Sequence, residues 1–410
     1  MNEEEKRICQ NCKQDFTIEP EDFDFYEKMK VPAPTFCWKC RAQRRFAIRN
    51  ERALYKRKCD KTGETIFSTY PASAPFPVYK QSEWFGDNWD PMSYGRDYDF
   101  NKPFFQQFKE LSHSVPKPAR SIRDDVNSEY SNNSTHLKNC YLIFDTTACE
   151  DSSYGTQVNE SKFCFDATSI RACESAYEVF TTFKSNKIFY SSHIIECMDI
   201  WFSRNLLGCT NCFGCINLKN KSYYIFNKPH TRQEYMNFMK EFKSGSYKAV
   251  TAMNEKTTKF IQDYPRKFAY FGRRTIDSTG EYIYGSTNVL NSYMVTGAKD
   301  LKYCQIIDTP LNQDCYDYTI WGENAERIYE CSIVGDEVNN VRFSFQSWSG
   351  VRDCDYVEYC HNSSNLFGCV SLRNKQNCIL NKQYSAEEFK TFRKKIINNS
   401  FFVGQQTPVY

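Results

Sequence analysis

The sequence predicts a mainly β protein: an N-terminal four-cysteine zinc ribbon or treble clef with a basic helix, followed by a duplicated parallel β-solenoid. Three observations indicate this fold class. Two CxxC motifs lie near the N-terminus, cysteine and aromatic residues recur about every 24 residues beyond residue 139, and two segments of that region recur with offsets of 152 and 154 residues. A period in the low twenties with few helix signals is typical of a β-solenoid.

The N-terminal motifs are Cys9-x2-Cys12 and Cys37-x2-Cys40, separated by 24 residues. Two residues between cysteines let one tight turn present both sulfurs to a single cation, and two such turns complete a tetrahedral four-thiolate shell. Such a shell suits Zn²⁺ and leaves no open position for catalysis, so we predict one structural zinc ion at these four cysteines. Free thiols, a redox pair and an iron centre are the alternatives.

The segment CQNCKQDFTIEPEDFDFYEKMKVPAPTFCWKCRAQRR resembles a small zinc-ribbon or treble-clef family with the pattern CxxC…F…E…FY…CxxCR. Together with RNERALYKRKCDKTGE and WDPMSYGRDYDF, it also resembles an uncharacterised cysteine-rich family of genome-reduced bacteria, over most of the chain. The resemblance implies zinc at Cys9, Cys12, Cys37 and Cys40, and it implies no particular activity.

The chain turns strongly basic directly after the last predicted zinc ligand. Residues 41–61 contain nine Lys or Arg and two acidic residues, and no Pro or Gly interrupts 41–58, which predicts a short amphipathic helix. A zinc-pinned, Arg-rich helix favours contact with the phosphates of RNA, DNA or a ribonucleoprotein. The alternative is a charged helix packed on the rest of the protein. The predicted contact residues are Arg41, Arg44, Arg45, Arg49, Arg52, Lys56, Arg57 and Lys58.

The repeat region carries a duplication and a finer period. The segments that start at Asn211 and Asn365 match closely, and each copy then ends in a helical pattern introduced by a Ser or Thr with Glu three residues later, which is a capping box. Within copy one, a 24-residue phase predicts about 24 residues per coil, with thiols packed inside as small apolar groups. Copy two follows the period less cleanly. The phase is defined by Cys140, Cys164, Ile188 and Cys212.

Two cysteine features outside the zinc motifs are weaker. Cys209, Cys212 and Cys215 form a CxxCxxC pattern that is a weak second metal candidate, because copy two retains only Cys369 there. Cys59 has no local partner and is interpreted as a packed thiol.

The predicted organisation has six parts, which we refer to by their boundaries. They are the zinc ribbon with its basic helix (1–61), a Pro- and aromatic-rich connector (62–126), solenoid copy one with its terminal helix (127–242), a linker (243–278), solenoid copy two with its terminal helix (279–396) and a C-terminal tail (397–410).

Composition narrows the function classes. The first residues, MNEEEKRICQ, are charged, and no apolar run approaches the length of a membrane span, so we expect a cytoplasmic chain with reduced cysteines and no membrane partner. The five histidines are scattered and no common catalytic motif occurs. We therefore expect a zinc-binding, non-enzymatic binding or scaffold protein that touches nucleic acid or a ribonucleoprotein, with a protein partner also possible and the oligomeric state undetermined. The alternative is a solenoid enzyme that acts on a carbohydrate or another polymer.

Overall fold

The computed structural model describes residues 3–267, 272, 274–307, 313–320, 328–329, 331–332, 342–347 and 350–399. The part before the repeats contains two β-hairpins and several helices. Its elements are β1 (Glu5–Ile8), β2 (Asp15–Ile18), α1 (Pro20–Met29), α2 (Trp38–Ala47), β3 (Tyr55–Lys58), β4 (Thr65–Ser68), β5 (Val78–Tyr79), α3 (Gln81–Phe85), a 3₁₀ helix (Pro91–Tyr94), α4 (Phe104–Ser114) and β6 (Lys117–Pro118).

Copy one forms a 13-stranded sheet whose first strand, β7, lies in the connector, and in which all pairs but the last are parallel. Its strands are β7 (Ile122–Arg123), β8 (Asn132–Thr135), β9 (Tyr141–Thr147), β10 (Cys149–Glu150), β11 (Ser153–Asn159), β12 (Ser161–Arg171), β13 (Glu174–Phe183), β14 (Asn186–Ile195), β15 (Met198–Trp201), β16 (Arg204–Leu207), β17 (Thr210–Phe213), β18 (Ser222–Ile225) and β19 (Lys228–Pro229). Two helices follow, α5 (Arg232–Glu241) and α6 (Tyr247–Gln262).

The described part of copy two also consists mainly of parallel strands, in two three-stranded sheets and one five-stranded sheet. Its elements are β20 (Gly280–Tyr284), β21 (Thr287–Leu290), β22 (Ser292–Thr296), β23 (Lys299–Lys302), β24 (Gln305–Ile307), β25 (Gln313–Tyr316), β26 (Phe343–Phe345), β27 (Arg352–Glu358), β28 (Ser364–Phe367), β29 (Gln376–Ile379), β30 (Lys382–Gln383) and α7 (Ala386–Ile397). The prediction of a mainly β chain is confirmed.

Neighbouring strands of copy one pair with an offset of 12 residues, which is also the separation of the hydrogen-bonded side chains of Glu174 and Asn186. Lys162 lies opposite Glu174, Glu174 opposite Asn186, and Asn186 opposite Met198. The predicted spacing of about 24 residues per coil is therefore wrong by a factor of two. In copy two the offset is 12 for most pairs but 14 between β23 and β25, which explains why the period is less clean there.

The doubled period has a chemical cause in the interior of the sheet. One buried column alternates between two residue types from strand to strand, so that cysteine recurs only at every second step. Cys173 donates its S–H to the carbonyl two residues earlier, and Ser161, at the step before, donates its hydroxyl in the same way. The Ser161 hydroxyl also accepts the Cys173 backbone N–H at 3.1 Å. The alternating column contains Cys149, Ser161, Cys173, Ser185 and Cys197.

A three-residue rhythm underlies the offset between strands. From Leu137 to Cys215, every third residue is buried. From Asn133 to Phe226, every third residue has a positive φ, including Leu142 and Phe163, which are not residues that favour this region. The backbone N–H groups of such residues donate to carbonyls of the preceding step, as from Ala148 to Thr135 at 2.9 Å. Each step, by which we mean the 12 residues between two paired positions, therefore consists of four three-residue turns.

Both predicted terminal helices are confirmed by their caps. Thr231 accepts the backbone N–H of Glu234 at 3.2 Å, and the Glu234 carboxylate accepts the Thr231 N–H at 2.7 Å. Ser385 and Glu388 repeat the arrangement at the start of α7. Local polar chemistry thus fixes where α5 and α7 begin.

We expect a buried cysteine inside copy one to tolerate replacement by serine but not by a larger apolar residue. Cys164→Ser preserves the donor to the carbonyl two residues earlier, so we expect little change in the free energy of unfolding. Cys164→Leu overfills a side chain position that is fully buried and should cost about 1–3 kcal/mol. Ser152→Ala leaves the Cys164 N–H without its acceptor, at a similar cost of about 1–3 kcal/mol. Urea denaturation measures all three; equal stability of the Ser and Leu variants would contradict this packing.

Candidate metal centre and basic segment

The first pair of cysteines lies in the turn between β1 and β2. The Cys9 N–H donates to the Gln14 carbonyl at 2.9 Å, and the Lys13 N–H donates back to the Cys9 carbonyl at 3.0 Å. Lys13 has a φ of 60°, which closes the turn tightly. The turn therefore directs the sulfurs of Cys9 and Cys12 to the same side.

The second pair lies at the start of α2, and the helix brings it to the first pair. Cys37 is the residue that precedes the helix, and Cys40 lies in its first turn. The four sulfur atoms all lie within 4.8 Å of one another, and the Cys12 and Cys37 sulfurs are 3.9 Å apart. A tetrahedral ion with metal–sulfur bonds of about 2.3 Å requires sulfurs about 3.8 Å apart. The arrangement fits a four-thiolate metal site.

Hydrogen bonds to sulfur favour the thiolate form that a metal requires. The Cys37 N–H donates to the Cys9 sulfur at 3.3 Å, and the Asn11 side-chain amide donates to the Cys40 sulfur at 3.3 Å. Burial raises the pKa of Cys9, but the backbone N–H groups of Cys37, Cys12 and Asn11 outweigh it and lower that pKa to about 6. Donation of this kind stabilises negative charge on sulfur. Burial and the neighbouring cysteine side chains instead raise the pKa of Cys37 to about 12, so the four thiols share their negative charge unequally.

The second metal candidate is not assembled in the same way. Cys209, Cys212 and Cys215 are fully buried, and each donates to the carbonyl two residues before it, at 3.5, 3.6 and 3.3 Å. Among the described residues, a group of three or more side chains with ligand atoms close enough to share a metal ion is found at the N-terminal cysteines and not here. These three thiols instead belong to the interior columns of copy one.

We expect Cys9→Ser to abolish metal binding while the repeats stay folded, because the site lies outside the sheets of the two repeat copies. Metal content of the purified protein and its circular dichroism measure the two effects. Cys164→Ser is the matched control, since it also removes one buried cysteine, and it should retain the full metal content. Unchanged metal content in the Cys9→Ser protein would show that the ion is bound elsewhere.

The basic segment is not one helix. Helix α2 ends at Ala47, and β3 (Tyr55–Lys58) is a strand, so the predicted helix over 41–58 is wrong beyond residue 47. Asn50 makes the break: its side chain accepts the Ala53 N–H at 3.0 Å and donates to the Thr69 carbonyl at 2.7 Å. A side chain that bonds to nearby backbone competes with helix formation.

Two of the predicted phosphate-binding arginines are buried against copy two. Arg41 donates to the Asp317 carboxylate at 2.8 Å, and Arg45 donates to its other oxygen at 3.0 Å. Arg45 also donates to the Thr319 hydroxyl at 2.8 Å. All three charged side chains are 3% exposed or less, so these two guanidinium groups are not available to phosphates.

Two further arginines of the segment are also occupied. Arg49 is buried, pairs with Glu51 and donates to Asp145 of copy one at 2.5 Å. Arg57 is buried and donates to the Pro71 carbonyl at 2.9 Å. The basic segment therefore contacts both copies.

The remaining members of the predicted patch are more accessible. Arg52, Lys56 and Lys58 are exposed, and Arg44 is half-buried with its guanidinium 5.1 Å from the centre of the Phe36 ring. The exposed cations lie around the β3–β4 hairpin rather than along α2. Sequence reasoning missed Asp317 as the partner of Arg41, because the two residues are 276 positions apart and no local pattern joins them.

The buried carboxylate of Asp317 should be essential to the docking of α2. Asp317→Asn leaves two buried guanidinium groups without a counter-charge, and we expect a loss of about 3–5 kcal/mol in the free energy of unfolding. Asp166→Asn is the matched control, because Asp166 also has a positive φ, at 52° against 57°, but is exposed. We expect the control to change stability by less than about 0.5 kcal/mol. Equal effects in urea denaturation would contradict the buried pairing.

A scan of the chain against models of known protein families finds no match, and a search of curated proteins finds none. The four-cysteine geometry is thus the structural support for the resemblance seen in the sequence, and no family assignment follows. Among the described residues, no helix combines the length and the apolar character needed to cross a membrane.

Proposed function

We propose that the chain is a zinc-binding, non-enzymatic scaffold whose metal module holds the two repeat copies together. By metal module we mean the four-cysteine cluster together with helix α2 and Arg49. The observation that carries this proposal is that arginines of the metal module are buried against acidic side chains of both copies. Arg41 and Arg45 pair with Asp317 of copy two, and Arg49 pairs with Asp145 of copy one. Because these cations are buried within the chain, they do not reach an external ligand. Their burial supports a structural role for this segment rather than recognition of nucleic acid.

The donor set supports zinc as the ion. Four cysteine sulfurs at tetrahedral spacing form a closed site, which leaves no coordination position for a substrate or a water molecule. Iron accepts the same four ligands, so elemental analysis of the purified protein identifies the metal.

The strand pairing supports a β-solenoid as the architecture of copy one, with one coil for each step between paired strands. Three features agree with such a coil. The parallel strands pair with a constant offset, every third residue faces the interior, and a helix covers the end. Repeat stacks present long, regular outer surfaces, which suits a protein that binds or organises partners.

The surface carboxylates of copy one favour the scaffold over a carbohydrate-active enzyme. Glycoside hydrolysis commonly uses two carboxyl groups, one of which acts as an acid. A shallow groove on copy one is lined by Glu150 and Glu174, but Lys138 and Lys162 pair with them at 2.5 and 3.7 Å. Each of these two carboxylates therefore has a lysine partner one strand away rather than a second carboxyl group.

Contact with RNA or DNA is the second candidate, and the exposed face of the β3–β4 hairpin favours it. Lys56 and Lys58 are exposed there, Arg52 lies just before the strand, and the adjacent Tyr55 is 42% exposed. Exposed cations suit phosphates, and an accessible aromatic ring suits a stacked base. The proposed contact therefore involves the hairpin rather than the buried face of α2.

A filter-binding titration with mixed RNA and DNA at two salt concentrations tests this contact. If the hairpin binds phosphates, log K should fall with log salt by about 0.9 per neutralised phosphate on duplex DNA and about 0.7 on a single strand. The variant Lys56→Glu/Lys58→Glu should then bind many-fold more weakly at low salt. The matched control is Lys390→Glu/Lys394→Glu on α7, which makes the same charge change at exposed residues.

The outcomes separate the two candidates. Weaker binding by the hairpin variant alone would support nucleic-acid contact, and equal weakening in both variants would indicate non-specific attraction. If the parent chain does not bind at the lower salt concentration, the nucleic-acid contact is excluded and the scaffold remains.

A further inference from the structure

The hairpin β3–β4 repeats the turn of the metal centre. The Cys59 N–H donates to the Glu64 carbonyl at 2.8 Å, where the corresponding bond of the metal turn measures 2.9 Å. The Gly63 N–H donates back to the Cys59 carbonyl at 2.9 Å, against 3.0 Å in the metal turn. Gly63 has a φ of 72° and takes the place of Lys13, which has a φ of 60°. The two turns share one backbone conformation.

The helix that follows each turn is placed in the same way. Lys80 precedes α3 as Cys37 precedes α2, with φ and ψ of −52° and 144° against −62° and 158°. The Lys80 N–H donates to the Cys59 sulfur at 3.3 Å, and the Cys37 N–H donates to the Cys9 sulfur at the same distance. With similar backbone torsions and the same N–H···S bond, Lys80 takes the place beside its turn that Cys37 takes beside the metal turn.

A further backbone bond joins turn and helix in both units. The Asp60 N–H donates to the Val78 carbonyl at 3.0 Å, and the Gln10 N–H donates to the Thr35 carbonyl at 3.0 Å. Each acceptor lies two residues before the residue that precedes the helix. The correspondence therefore extends over the turn, the segment that leads into the helix, and the helix start.

We propose that Tyr55–Phe85 is a second copy of the metal-binding unit, one that is held together without a metal ion. Cys59 corresponds to Cys9 and retains its hydrogen bonds, but the other three ligand positions have changed. The residues at those positions are Thr62 for Cys12, Lys80 for Cys37 and Glu83 for Cys40.

The replaced side chains explain how the unit folds without an ion. A lysine ammonium group has three donors and no acceptor, so Lys80 does not ligate a cation. Lys61, in the turn, pairs with Glu83, in the helix, at 3.1 Å, and Lys80 pairs with Glu64 at 2.7 Å. Both ion pairs join the turn to the start of the helix, which is the connection that a metal ion would make in the first unit.

The hydrophobic surroundings of Cys59 complete the replacement. Its thiol is 1% exposed and packs with Ile66, Val78 and Ala119, whereas the cysteines of the first unit cluster mainly with one another. A small apolar core thus supports the second unit where the first relies on sulfur ligands.

Restoring the three lost ligands should restore a metal site. We expect the variant Thr62→Cys/Lys80→Cys/Glu83→Cys to bind one zinc ion more per chain than the parent, measured by elemental analysis after exposure to zinc and removal of the excess. The matched control, Thr62→Ser/Lys80→Ser/Glu83→Ser, changes the same positions without adding thiols and should bind no additional zinc. An unchanged zinc content in the folded cysteine variant would overturn the proposal.

A second measurement uses the unaltered chain and does not depend on how the variants fold. After treatment with a chelator, the amides of Cys9, Lys13 and Cys37 should lose their protection from hydrogen exchange, whereas those of Cys59 and Lys80 should keep it. Simultaneous loss of protection in both units would overturn the proposal. The zinc content of the variant is compared with that of its parent. A parent without zinc would therefore contradict the first metal site, while the expected difference of one ion between variant and parent would stay the same.

Discussion

One backbone constraint organises copy one: a residue in the left-handed region at every third position from Asn133 to Phe226. This conformation costs residues other than glycine roughly 1 kcal/mol or more. The cost is offset only when another strand lies alongside, because the N–H groups of such residues bond to carbonyls of the preceding step. A single 12-residue step is therefore unstable alone. Each step needs a neighbouring step on both sides, and the last step needs another element to cover it. At the C-terminal end, the antiparallel pair β18–β19 and helix α5 supply that closure.

The same constraint fixes which side chains fit inside. Four inward positions in every step leave a narrow interior, in which serine and cysteine each donate to a nearby carbonyl and fill little volume. Such a donor is valuable because a buried backbone acceptor without a partner is costly. Apart from the four metal-site cysteines and Cys59, the cysteines of this chain all lie buried in the two repeat copies. Their burial and their hydrogen bonds to backbone carbonyls give them a packing role.

Sequence reasoning succeeds here where the determining contacts are local. The metal cysteines are set by two short spacings, and the helix starts at Thr231 and Ser385 are set by a side chain three residues away. It fails where the controlling feature is the backbone or a distant residue. The three-residue rhythm is hidden because its outward positions accept residues as different as Leu142 and Asp166, and the alternation of serine with cysteine doubles the visible period. The burial of the arginines was equally hidden, because their acidic partners lie in the repeats.

The buried pairing of α2 with Asp317 is better understood as a device for placement than for stability. Two guanidinium groups share one carboxylate, so a net positive charge remains in a site from which water is excluded, and such sites often contribute little net stability. What the geometry supplies is direction, since each planar guanidinium donates hydrogen bonds to its partner only along the directions of its N–H groups. Cys37 and Cys40 of the four-cysteine cluster lie at the start of this helix, and Arg49 beyond its end reaches copy one. One short segment thus joins the candidate metal site to both repeat copies, which is the connection that the proposed scaffold role requires.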